Sequence, residues 1–170
     1  MYVAARDATG ADIAFLITAD GVERRLSGPS SASLSEALVT NYLMRPEQRF
    51  RALARQNDFI DALSVVSADG KAKGRIGVDF GSIGLCHVAA GFSDAMVEFA
   101  KGFAVWDLSP GHYILHAAGG TVTDLHGTPL PLDCDLVSME SINRAMNRRQ
   151  TFIAAGNPAL AEEICRSLKR

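Results

Sequence analysis

Trp106-Asp107-Leu108-Ser109-Pro110-Gly111 is the stretch of this 170-residue chain whose residue types and spacing best fit chemistry. Asp107 reads as an aspartate that ends a strand and opens a helix over 108–118. Free backbone N–H groups and the helix dipole stabilise negative charge at that place. The plain reading is an N-cap, worth about 0.5–2 kcal/mol. A carboxylate there can also ligate a hard cation such as Mg²⁺ while the helix start faces a phosphate. One carboxylate rarely does either job alone.

Other constellations are weaker. His112 and His116 stand four apart on the same helix, but Tyr113 follows His112, so the zincin glutamate is missing. They read as surface or satisfied histidines. Gly81-Ser82-Ile83-Gly84 lacks the first glycine of a nucleophile elbow, which leaves little for an unrelated hydrolase. Gly70, Gly74 and Gly77 make no dinucleotide fingerprint, and no phosphate-binding loop ends in Gly-Lys-Ser/Thr. Cys86 lies in an apolar run and reads as packing. Cys86, Cys134 and Cys165 are widely spaced, as in a reducing compartment with neither disulfide framework nor zinc site.

The elements that must position these residues alternate between strand and helix, which predicts an α/β fold in one domain over 1–170. Strands are expected at 2–5, 13–18, 22–26, 37–42, 62–66, 96–99, 121–125 and 151–155. Asp20-Gly21 supplies the hairpin turn between the second and third. Gly28 to Ser33 reads as a small-residue loop. Pro46 opens a short helix with Phe50, Leu53 and Ala54 on one face. The segment 67–77 reads as loop and 79–90 as a buried helix. Gly119-Gly120 ends the helix over 108–118, and 133–149 is polar with no clear element. Asn157 caps a last helix that has Pro158 in its first turn and Leu160, Ile164 and Leu168 facing inward.

Trp106-Asp107, Gly111, Ala117-Ala118-Gly119-Gly120 and Thr121-Val122-Thr123-Asp124-Leu125 with Gly127 together resemble the C-terminal signature of the inositol monophosphatase family. Gly81-Ser82, Cys86 to Gly91 and Asp94-Ala95 are similar to that family's buried helix and the strand after it. Phe152 to Asn157 with Leu160-Ala161-Glu162 is similar to its last strand and helix. The likeness runs from Gly77 to the C-terminus, and more weakly from Met1 to Leu43, where 2–6 and 35–40 resemble mid-chain strands. It implies a mixed β-sheet flanked by helices and a magnesium-dependent phosphomonoesterase of inositol or other sugar phosphates, in a family whose members are mostly dimers. It assigns Asp107 as a metal ligand and places Gly81, Ser82 and Glu98 near the substrate's hydroxyl groups. Magnesium would polarise the phosphate and lower the pKa of the attacking water.

The sequence departs from the family pattern in ways that bear on activity. It has no Asp-Pro dipeptide, and its only Glu-Glu is Glu162-Glu163 in the last helix, so the family's two earlier metal-binding motifs are absent from these residues. Glu98 lies two residues farther from Asp107 than the family pattern, and 133–149 is longer than the usual link. The expectation is therefore the C-terminal half of such a phosphatase, inactive alone and completed by missing sequence or another chain. Its alternative is a non-catalytic binding or interaction module that keeps the fold. A lost N-terminal layer would leave an apolar face, so a homo-oligomer or a complementing chain is expected to cover it. Net charge of −2 and a pI near 6.1 give no nucleic-acid surface. No apolar run reaches the ~20 residues of a membrane span, and Arg6, Asp7 and Asp12 interrupt any leader-like start. A cytoplasmic protein follows as the expectation.

Overall fold

The computed structural model describes residues 1–28, 33–42, 47–48, 50–66, 68–71 and 73–168. Pro46, expected to open a helix, lies outside them, as do most of the 28–33 loop, Ser67 and the two C-terminal basic residues. Two sheets organise the rest. β1 (Tyr2–Arg6), β2 (Asp12–Ile17) and β3 (Glu23–Arg25) form an antiparallel sheet in that order. Gly21 turns the β2–β3 hairpin with φ +82°, a value glycine adopts without steric cost.

The second sheet is mixed. Its order is β5 (Arg75–Val78), β4 (Leu38–Asn41), β6 (Ala95–Phe103), β8 (Gln150–Ala155) and β7 (Thr121–Thr123). β4 runs parallel to β5 and β6, whereas β8 is antiparallel to β6 and β7. Side chains alternate across this sheet. Val97 and Ile153 face one apolar cluster, and Met96 and Phe152 face another. Ala95 to Val97 of β6 and Phe152 to Ala155 of β8 are buried on both faces and so read as apolar runs.

Two helices fill the space between the sheets, α3 (Gly81–Ala90) and α4 (Val105–Ala117). Leu85, Val88, Leu108 and Leu115 pack there with Ala14 and Leu26 from the small sheet and Val122 and Ala154 from the large one. The far face of the large sheet is covered by α2 (Asn57–Leu63) and α6 (Pro158–Ser167), and the single turn α1 (Phe50–Leu53) adds Leu53 to that cluster. The Asn157 side chain accepts from the Leu160 N–H at 2.9 Å, and Leu160 and Ile164 are fully buried, as the sequence predicts.

Three expectations are corrected and one open stretch gains an element. Residues 62–66 do not form a strand: Phe59, Ile60 and Leu63 recur at helical spacing and seat α2, while Val65 and Val66 lie exposed. The loop expected over 67–77 gives way at Arg75 to edge strand β5. The polar stretch 133–149 contains helix α5 (Met139–Asn147), begun by reciprocal hydrogen bonds between Ser138 and Ser141. The helix expected to open at Asp107 begins at Val105 with Ala104 as its N-cap, so Asp107 lies within the first turn. In α1, Leu53 is buried but Phe50 is 55% exposed.

Candidate functional site

The first turns of α3 and α4 meet. Gly111 makes this possible: a Cβ there would lie 2.6 Å from the Ser82 carbonyl oxygen and 2.8 Å from the Leu85 Cβ. The Ser82 hydroxyl donates to the main-chain carbonyl of Asp107. Neither helix has a side-chain cap, because the N-cap residues are Phe80 and Ala104. The N–H groups of both first turns are therefore not taken up by capping side chains, and two positive helix ends lie together. Asp107 sits exposed at this junction. Trp106 beside it is 47% exposed, with the Arg149 guanidinium 5.2 Å from its ring centroid. Such a place favours an oxyanion, and a cation that Asp107 holds would lie against it.

Of the residues that the sequence singles out, Gly81, Ser82 and Asp107 thus converge. Glu98 is engaged with the backbone of its own strand. It is fully buried, and its Oε1 accepts from the N–H groups of Ala100, Lys101 and Gly102 at 3.1, 2.9 and 3.3 Å. This carboxylate closes an irregularity in the β6–β8 pairing between Glu98 and Phe103. Two further residues complete the picture. Asp79, buried just before α3, accepts from the Phe80 N–H and meets His87 Nδ1, each at 2.8 Å. Burial pushes the Cys86 thiol up to about 11, with the nearby Asp79 charge adding to the shift, which fits packing rather than nucleophilic attack.

Among the described residues, no group of three or more His, Cys, Asp or Glu side chains is placed to hold a metal ion. Asp107 offers one carboxylate, and magnesium is commonly held by one or two, with water and phosphate completing its six oxygens. The sequence reading missed the uncapped helix starts, because Ala104-Val105 reads as continuing strand. It also missed the buried state of His112, 6% exposed on α4.

Two helices packed between an antiparallel and a mixed sheet, with their starts joined at an exposed aspartate, define a layered α/β scaffold. The model of the Inositol monophosphatase family matches residues 21–170, and the chain belongs to that family. It is 38% identical over 77 residues to Inositol monophosphatase 2 of Homo sapiens, covering 45% of this chain and 26% of the relative. It is 32% identical over 141 residues to Nus factor SuhB of Xylella fastidiosa, covering 79% of this chain and 48% of the relative. Among solved structures, Mycobacterium tuberculosis SuhB superposes with a TM-score of 0.59 at 20% identity, over 98% of this chain and 53% of that one. The inositol monophosphatase from Anabaena does so with a TM-score of 0.57 at 20% identity, over 92% and 54%. These likenesses establish the fold. The chain spans about half the length, or less, of these relatives.

Proposed function

We propose that this chain supplies one half of a magnesium-dependent phosphomonoesterase centre for inositol phosphate or a related sugar phosphate. Asp107 is one metal ligand, and Gly81 and Ser82 face the substrate's hydroxyl groups. The observation that supports this reading is the bond from Ser82 to Asp107, which holds two uncapped helix starts beside an exposed carboxylate. The remaining acidic ligands come from outside the described residues, in further sequence or in a complementing chain. Bound with Asp107 as one ligand, magnesium would supply Lewis-acid polarisation of the phosphate. The chain's own contribution is to orient the oxyanion with backbone N–H groups and to place one negative charge. Glu98, given to the substrate by family likeness, would first have to release its backbone partners.

A second copy is the proposed cover for the outer face of the small sheet. Strand alternation puts Val3, Ile13, Phe15 and Ile17 on the side away from α3 and α4, all partly exposed. The test is phosphate release from inositol 1-phosphate with Mg²⁺, by the purified chain alone and mixed with a chain carrying the missing acidic motifs. Turnover only in the mixture, lost in Asp107→Asn, is the expected result. Turnover by the chain alone would overturn the half-centre. Saturable sugar-phosphate binding without turnover in either case would favour the binding-module reading instead.

A further inference from the structure

A cavity of about 240 Å³ lies on the face of α4 turned away from Asp107. Val105, Leu108, Ser109 and His112 recur at spacings of 3, 1 and 3, a single helical stripe, and all line it. Asp107 and Gly111 fall on the other side of the helix, so this is a different place from the α3–α4 junction. The opposite wall is α5, the helix in the stretch longer than the family's usual link. The third wall is the loop through Asp133 and Asp135.

The lining divides by chemistry. Phe103, Leu108 and Leu130 give an apolar floor. Arg144 on α5 and Arg148 at its C-cap supply positive charge, and Asp133 and Asp135 supply negative charge. These opposite charges do not neutralise each other directly. Among the described residues, Arg148, Asp133 and Asp135 have no ion-pair partner within 4.0 Å, and Arg144 reaches only the exposed Glu140, at 4.0 Å. His112 adds a second, independent sign. It is 6% exposed, lines the cavity and makes no hydrogen bond with any described residue. Among the described residues its ring nitrogens are not enclosed atoms lacking a partner, so they are open to what fills the cavity.

We infer that this cavity binds a small zwitterion with an apolar body, of the class of a free α-amino acid with an aliphatic or aromatic side chain. The carboxylate meets Arg144 and Arg148, the ammonium meets Asp133 and Asp135, and the side chain rests on Phe103, Leu108 and Leu130. Guanidinium groups suit a carboxylate because their planar donors match its two oxygens. A cavity of about 240 Å³ has room for a small molecule of that class. Leu108 and His112 belong to the helix that carries Asp107, so occupancy would also brace α4.

Calorimetric titration of the whole chain with L-leucine and L-phenylalanine tests this, with isoamylamine and 4-methylpentanoate as probes lacking one charge each. Saturable binding of one amino acid, weakened at least tenfold for both single-charge probes, is expected. Arg148→Ala and Arg144→Ala should abolish the advantage of the amino acid over the amine. Asp133→Asn with Asp135→Asn should abolish its advantage over the acid. Arg144 lies on α5 and Arg148 at its C-cap, Asp133 and Asp135 lie in the loop before it, and thermal melting confirms that each variant folds. No saturation by either amino acid at 10 mM ligand (about ten times a weak Kd of ~1 mM) overturns the proposal. So does equal binding of the acid alone, which would mark a plain anion site, or binding indifferent to all four substitutions. The readout is independent of phosphatase turnover, so failure here leaves the half-centre proposal standing.

Discussion

The Ser82 hydroxyl donates to the main-chain carbonyl of Asp107, tying the first turn of one buried helix to the first turn of the other. The tie is close because Gly111 has no side chain where α4 meets the Ser82 carbonyl and Leu85. Gly111→Ala should therefore destabilise the chain by about 1–3 kcal/mol, the usual cost of overpacking. It must move backbone atoms rather than the end of a flexible side chain. Urea denaturation reads this directly, and an unchanged midpoint would show that the helices slide apart freely.

Asp107 itself should matter little to stability. It is exposed and sits within the first turn rather than at the N-cap, so it contributes only a favourable charge at the helix start. Asp107→Asn should cost about 0.3–1 kcal/mol, less at high salt. A loss above 2 kcal/mol, measured by the same denaturation, would mean that the carboxylate is structural and not available to a metal.

Glu98 should behave in the opposite way. Its buried carboxylate accepts three backbone N–H groups at the irregular end of β6. Glu98→Ala would leave those donors without a partner, at a cost on the order of 3 kcal/mol. Glu98→Gln keeps one acceptor oxygen and should recover part of that. If Glu98→Ala melts like the parent chain while sugar-phosphate binding falls, Glu98 serves a ligand and not the strand.

Much of this architecture is legible in the residues, for reasons that also explain the gaps. Residues 96–99 and 151–155 read as strands because a strand buried on both faces needs apolar side chains at every position, and Met96, Val97, Phe152 and Ile153 meet that need. Asn157-Pro158 marks a helix start by capping chemistry that acts locally. Ala62-Leu63-Ser64-Val65-Val66 misleads because its β-branched pair suits a strand, whereas burial is decided by Phe59 and Leu63 one helical turn apart. Helix α5 is announced by Met139, Ile142, Ala145 and Met146 at helical spacing after the Ser138 cap, a signal that the polar surroundings and the exposure of both methionines mask. Gly81, Ser82 and Asp107 can be picked out one by one. Their meeting depends on a helix crossing between residues 25 or more positions apart, which no local pattern encodes.

The outer face of the small sheet predicts association. Phe15 is paired with Val3 and Arg25 across β1 and β3, with its ring on the side away from the helices. Sedimentation should give a species larger than one chain, and Phe15→Lys should shift it toward monomer without lowering the melting temperature of the dilute protein. A parent chain that sediments as a monomer at high concentration would remove the case for a second copy on this face.

His112 should make stability depend on pH. Burial pushes its imidazole down to about 4 from an ordinary 6.5, and the neighbouring His116 adds to the shift. The folded state therefore favours the neutral ring, and the unfolded chain binds the extra proton more readily. Stability is fully present above pH 6.5 and is lost as pH falls from there to about 4, where the folded form also protonates. A shift of this size corresponds to a loss on the order of 3 kcal/mol across that window. Asp7, Asp12 and Asp20, whose carboxyls are held below 3.8 chiefly by hydrogen bonds, add their own losses only at lower pH. His112→Leu should flatten the profile between pH 6.5 and 4 while leaving the more acidic limb in place. Urea midpoints measured at half-unit steps across this range separate the two limbs. A slope that survives His112→Leu would assign the titration to another histidine.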